Sequence, residues 1–174
     1  AEGTDFIRVG STLNGAPEYR DNLLSERACR CDNITELRRQ TAEARVYVGT
    51  TTAFNSHIAL LSLRQFSLAV IDEASQILEP HLIGLLSAHC NGVPAIRKTV
   101  LIGDHKQLPA VVQQSPDVSR VTDKQLNDIL LTDCRLSLFE RLLRRYRNDE
   151  SVTFMLCRQG RMHHDIALFP NQAF

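Results

Sequence analysis

Short, nearly unbroken runs of apolar and β-branched residues recur along the chain at 6–9, 45–48, 67–71, 99–102 and 152–156. Runs of that length without polar alternation predict strands buried on both faces, as in a parallel sheet covered by helices, rather than half-exposed antiparallel strands. Helical patterns fill the intervals. Residues 33–43 make a polar helix with Asp32 or Asn33 as its N-cap. Residues 53–63 carry apolar side chains at helical spacing, and 79–89 places Pro80 at the helix start ahead of Leu82, Ile83, Leu85 and Leu86. Ser137 followed by Glu140 is a capping box. It opens a helix with an apolar stripe of Phe139, Leu142, Leu143 and Tyr146. Arg141, Arg144, Arg145 and Arg147 crowd its remaining surface and read as a solvated face. Strands alternating with helices predict an α/β domain built on a mostly parallel sheet. Residues 11–45 read as a helical insertion, and 113–133, polar and weakly periodic, as a surface excursion.

The 174 residues suit one domain. With 43% hydrophobic and 23% charged residues, the chain falls outside the disordered and fibrous classes. Lys+Arg and Asp+Glu both total 20, so overall charge argues neither for nor against a nucleic-acid partner. No apolar run approaches the roughly 18 residues of a membrane-spanning helix, and the opening AEGTDFIRVG lacks a signal-peptide core. Of five cysteines only Cys29 and Cys31 are close, with no second pair at zinc-finger spacing. Scattered free thiols without an export signal predict a reducing, cytoplasmic setting. The missing initiator Met, and an end at Phe174 inside a patterned segment, predict a piece of something longer, and a processed N-terminus would look the same.

Chemistry concentrates at the ends of two predicted strands. In LAVIDEASQ, residues 68–76, an apolar run ends in the adjacent carboxylates Asp72 and Glu73. Ligands of open α/β sheets bind at the carboxyl edge of the strands. There Asp72 suits a hydrated Mg²⁺ bridging nucleotide phosphates, and Glu73 suits the orientation or deprotonation of an attacking water. The same pattern also makes a plain solvated turn, and the residues alone leave both readings open. TVLIGDHKQLPAVV, residues 99–112, repeats the arrangement, with Asp104, His105, Lys106 and Gln107 just beyond a strand that ends at Gly103. A neutral amide such as Gln107 suits contact with a γ-phosphate or its attacking water. The alternative is a loop punctuated by Gly and Pro. In residues 156–174, Arg161 follows a predicted strand and precedes a short helix expected to end at Pro170. A guanidinium there suits phosphoryl charge. Adjacent histidines diverge on a helix, which argues against His163, His164 and Asp165 as a metal site.

In order, the segments FIRVGS, VYVGTTTAF, VIDEASQ, GDHKQLPAVV, SLFERL and RQGRMHHDIALFPNQAF resemble superfamily 1 DNA/RNA helicases of the Upf type over nearly the whole chain. VIDEASQ is similar to motif II, the Walker B segment, and GDHKQLPAVV to motif III. The last segment is similar to the family's Q-Y-R-M-H-P-x-I…F-P-N motif. The resemblance implies a RecA-like fold of the P-loop NTPase type, with residues 1–174 forming part of the first RecA-like domain. It implies ATP and Mg²⁺ as cofactors, Asp72 on Mg²⁺ and Glu73 as catalytic base. Gln107 would contact the γ-phosphate or attacking water, Arg161 the γ-phosphate, and Asp104 would link motif III to its neighbours at the nucleotide site. Thr50, Thr51 and Thr52 would touch the backbone of single-stranded DNA or RNA, where hydroxyls position a strand without reading its sequence. Strand-end capping explains the same threonines equally well.

The eight glycines contain no G-x-x-x-x-G-K-[ST]. The P-loop is therefore expected upstream and a second RecA-like domain downstream, and the segment alone is expected to be inactive. An incomplete sheet further predicts marginal stability or a homodimer through the exposed edge. A nuclear location is an alternative if the source is eukaryotic. Gly160 stands where the family has Tyr, and His164 where it has Pro. These departures sustain a second expectation, a degenerate helicase-like module that binds nucleic acid or a protein without turnover.

Overall fold

The computed structural model describes residues 5–11, 16–158 and 160–173, with the side chains of 170, 171 and 173 excepted; Phe174 lies outside them. The described chain divides into two compact units, Ala1–Arg141 and Leu142–Phe174.

In the first unit, β1 (Phe6–Val9) is followed by a 3₁₀ turn at Pro17–Asn22, α1 (Leu24–Arg30) and α2 (Ile34–Glu43). Asn33 is the cap of α2, its side-chain oxygen accepting from the Glu36 N–H at 2.9 Å. β2 (Val46–Gly49) then pairs in parallel with β1, Phe6 opposite Val46 and Val9 opposite Gly49. Ile7, Val9 and Ala44 are buried here, packed by Leu24, Tyr47, Ala53, Phe54 and Leu60. A Cβ on Gly49 would lie 2.5 Å from the Val9 carbonyl oxygen, so the close end of this strand pair requires glycine.

The helix expected over 53–63 is two pieces: α3 (Thr51–Ser56), and a 3₁₀ segment at Ile58–Ser62. Polar side chains at the junction compete for the helix carbonyls. The Ser56 hydroxyl donates to Thr52 O at 3.1 Å, and His57 Nδ1 lies 2.9 Å from Ala53 O.

β3 (Ala69–Ile71) leads to α4 (Glu79–Leu86) and a hairpin of β4 (His89–Cys90) with β5 (Val93–Pro94). Its turn residues Asn91 and Gly92 both have positive φ, the twist that tight antiparallel hairpins favour. β6 (Thr99–Leu101) pairs in parallel with β3, Val70 opposite Val100. Residues 113–133 hold α5 (Pro116–Ser119) and α6 (Lys124–Asp128). α7 (Leu138–Arg145) begins after Ser137, whose hydroxyl oxygen accepts from the Glu140 N–H at 3.1 Å.

The fold class is α/β with parallel strand pairs, and four further expectations need correction. The strands are not buried on both faces. Val46, Val48, Leu68, Val70, Val100 and Ile102 are all exposed, since no described element covers that side of the pairs. Arg141 does not belong to the solvated face: it is buried and paired with Glu79. In the second unit, 152–156 is not a strand. Val152, Phe154, Met155 and Leu156 are exposed there, and among the described residues no strand offers them a ladder. α8 (His164–Ala173) completes this unit and runs past Pro170 rather than ending at it.

Candidate nucleotide site

Parallel pairing carries the ends of β3 and β6 to the same edge. The ladder continues one step beyond the strands: Ile102 N–H donates to Ile71 O at 2.9 Å, and Ala74 N–H donates to Ile102 O at 2.7 Å. Hooking the chain back at Ala74 forces a sharp turn between Ile71 and Ala74. Glu73 takes up that turn in the left-handed region, φ 51° and ψ 36°, a conformation that costs a non-glycine residue about 1 kcal/mol. Ala74 and Ser75 anchor the turn by burial, whereas Asp72 and Glu73 remain exposed. One Asp72 oxygen, Oδ1, accepts from the Glu73 N–H at 2.9 Å. Gln76 donates from Nε2 to Glu73 Oε2 at 3.2 Å, orienting that carboxylate.

The second loop packs directly on the first. A Cβ on Gly103 would meet Ser75 N at 2.9 Å and Ser75 Oγ at 3.1 Å, so only glycine lets the chain pass here without a shift. Asp104 N–H donates to Ser75 Oγ at 3.2 Å. The Asp104 carboxylate then organises its own loop, Oδ1 accepting from Lys106 N–H at 2.9 Å and Oδ2 from Gln107 Nε2 at 3.2 Å. Asp72, Glu73, Asp104 and Gln107 thus gather at one strand edge.

The donor set fits a hydrated Mg²⁺ held by a single protein carboxylate: Asp72 is exposed at the strand end, with only one of its oxygens in a hydrogen bond among the described residues.

The remaining predicted residues belong to other elements. Thr50 is the cap of α3, its hydroxyl oxygen accepting from Ala53 N–H at 3.1 Å, and Thr51 and Thr52 form the first turn. Capping is therefore the observed use of Thr50. Arg161 belongs to the second unit, exposed just ahead of α8 and next to Gly160, where an added Cβ would meet no atom of the described residues within 4 Å. Sequence reasoning passes over Ser75 and Gln76. Both stand inside VIDEASQ, but only the fold shows the hydroxyl and amide turned toward the two loops.

A family profile described as an AAA domain matches residues 11–115, the span that holds the Asp72, Glu73, Asp104 and Gln107 cluster. The chain belongs to this AAA-domain family, and within it is a RecA-like fragment of a superfamily 1 helicase. An uncharacterised ATP-dependent helicase of Methanocaldococcus jannaschii is 33% identical over 147 residues, covering 82% of this chain and 18% of that protein. The DNA replication ATP-dependent helicase/nuclease DNA2 of Gallus gallus is 29% identical over 170 residues, covering 96% and 14%. A probable helicase of Arabidopsis thaliana, MAGATAMA 3, is 32% identical over 143 residues, covering 82% and 15%. This AAA-domain chain therefore spans 14–18% of the length of these relatives. Among its described residues, no helix is long and apolar enough to cross a membrane.

Proposed function

We propose that this chain is the part of a helicase motor that carries the hydrolytic carboxylates and the nucleotide-sensing amide. The intact protein uses ATP hydrolysis to move on single-stranded DNA or RNA. The observation that carries the reading is the gathering of Asp72, Glu73, Asp104 and Gln107 at the carboxyl edge of one parallel strand pair. Helicase relatives covering 82–96% of the chain support it.

In this reading Asp72, exposed at the strand end, would hold a hydrated Mg²⁺ that supplies charge to the nucleotide phosphates. Glu73 takes the proton of the attacking water, its carboxylate aimed by the Gln76 amide. Gln107, steadied on Asp104, reaches the γ-phosphate or that water, and Arg161 stabilises the phosphoryl charge. Mg²⁺-bound ATP supplies the phosphoanhydride whose cleavage drives the motor. Thr51 and Thr52 hydrogen-bond a strand backbone at the start of α3, while Thr50 holds the helix end that presents them. Such a grip is largely independent of sequence and weakens with salt.

A P-loop segment and a second RecA-like domain come from other parts of the intact protein. The 174 residues hold no glycine-rich Lys-Ser/Thr loop, so the segment alone turns over no ATP at a useful rate. The five cysteines are free, which supports a reducing compartment, cytoplasmic or nuclear. The uncovered strand face at Val70 and Val100 supports a homodimer when the segment is isolated.

The test is ATPase activity of the full-length protein and its Glu73→Gln variant, each with and without single-stranded DNA and RNA. Strand-stimulated turnover that disappears in the variant is the expected result, and the better strand names the substrate. Turnover absent from wild type would replace this reading with a binding module without turnover, the reading that Gly160 and His164, standing where the family has Tyr and Pro, favour.

A further inference from the structure

We infer that Ser75 is a positioning residue for hydrolysis: its buried hydroxyl ties the Gln107 loop to the turn that aims Glu73, so that neither moves alone. The inference rests on the ATPase reading above and adds to it a coupling between two of its parts.

Ser75 is 7% exposed, although a serine in a turn beside two exposed carboxylates has no need of burial. Its Oγ accepts from the Asp104 N–H at 3.2 Å, and the same Asp104 carboxylate receives the Gln107 side-chain amide at 3.2 Å. A continuous path therefore runs from the Gln107 amide through Asp104 to Ser75. On the other side, the Ser75 backbone lies one residue beyond Ala74, which is hydrogen-bonded to Ile102 and fully buried. Glu73 comes immediately before, fixed in the left-handed region and held at its carboxylate by Gln76. Gly103 leaves no slack between the loops, because the space a Cβ would need is filled by Ser75 N and Oγ. Two independent solvated turns would need neither the buried hydroxyl nor the glycine. With both present, a shift of the Gln107 loop on meeting a phosphate is passed to the Glu73 turn, and water activation follows nucleotide contact.

The test uses the full-length protein with saturating single strand, comparing wild type, Ser75→Ala, Ser75→Thr and Glu73→Gln. Steady-state ATPase kinetics are read beside amide hydrogen exchange of segments 72–76 and 103–107. Removing one buried acceptor is expected to lower kcat about tenfold in Ser75→Ala, with KM for ATP changing much less. Ser75→Thr restores the hydroxyl and is expected to recover most of the loss. Exchange is expected to quicken in both segments in Ser75→Ala. Normal turnover in Ser75→Ala, with Glu73→Gln inactive, overturns the positioning role and leaves the ATPase reading intact. Faster exchange confined to 103–107 also overturns it, because the two turns would then move separately. Turnover absent from wild type sinks the ATPase reading and takes this role with it.

Discussion

Arg141 Nε donates to Glu79 Oε2 at 2.8 Å, its Nη2 donates to the other carboxylate oxygen, and Nη1 donates to the Ile129 carbonyl at 2.9 Å. The two side chains are only 11% and 7% exposed, so the first turn of α4 and the start of α7 are joined by a desolvated fork. Removing one member strands the other charge in a site with little water. Arg141→Ala is expected to lose about 3–5 kcal/mol in urea unfolding. Arg141→Met combined with Glu79→Leu is expected to lose less than the single variant, because no charge is then left buried alone. A single variant with an unchanged midpoint would mean that the fork opens to solvent.

Glu73 combines an exposed carboxylate with a backbone conformation that its side chain disfavours. Stability and activity should therefore separate at this position. Glu73→Gln is expected to lower turnover of the intact protein about 10²–10⁴-fold, the usual worth of a general base. Glu73→Gly is expected to be equally inactive yet about 1 kcal/mol more stable, because glycine adopts the left-handed turn freely. Paired ATPase and denaturation measurements check this. A Glu73→Gly protein less stable than wild type would show that the side chain holds the turn.

Gly103→Ala brings a methyl to 2.9 Å from Ser75 N, backbone that cannot swing aside. Overpacking of this kind costs about 1–3 kcal/mol. Activity of the intact protein is expected to fall with it, as the Asp104 and Glu73 turns separate. A Gly103→Ala protein with wild-type stability and turnover would show that the loops accommodate a wider gap.

How much of this was legible beforehand divides by range. Elements with a strong local signal stand where their residues put them: Asn33 and Ser137 are caps, the apolar run at 6–9 is a strand, and the run at 99–102 is one over 99–101. Local pattern could not show that 152–156, equally apolar, has no strand beside it among the described residues. Nor could it show that one arginine in a run of four turns inward to Glu79. Both depend on partners distant in sequence. The β4–β5 hairpin is signalled by Asn91-Gly92, but strands of two residues leave no periodicity around it. At the site, strand-end carboxylates and the Gln107 amide were readable from chemistry and motif order. Ser75 was not, because a serine earns attention only once the fold lays Asp104 against it.

Arg39 makes a two-pronged contact with Glu36, Nε to Oε2 at 3.1 Å and Nη2 to Oε1 at 2.8 Å, and Gln40 adds a third bond at 2.6 Å. Chiefly through Arg39, and then Gln40, the Glu36 carboxyl is pulled from the usual 4.5 down to about 2. Glu36 also lies in the first turn of α2, where the helix dipole favours a negative charge. A folded-state value below the unfolded one means that the ionised form favours folding. Its contribution is complete above pH 4.5, declines as pH falls toward about 2, and is gone below that. Because the pair is on the surface, added salt is expected to shrink the effect. The check is a carbon-13 titration of the Glu36 carboxyl in low and high salt, beside acid unfolding of Glu36→Gln. The expected outcome is a midpoint well below 4.5 that rises with salt, together with a flatter stability profile for the variant between pH 4.5 and 2. A low-salt midpoint near 4.5 would show that Arg39 is drawn instead to Glu43, its other partner on the same helix at 2.8 Å.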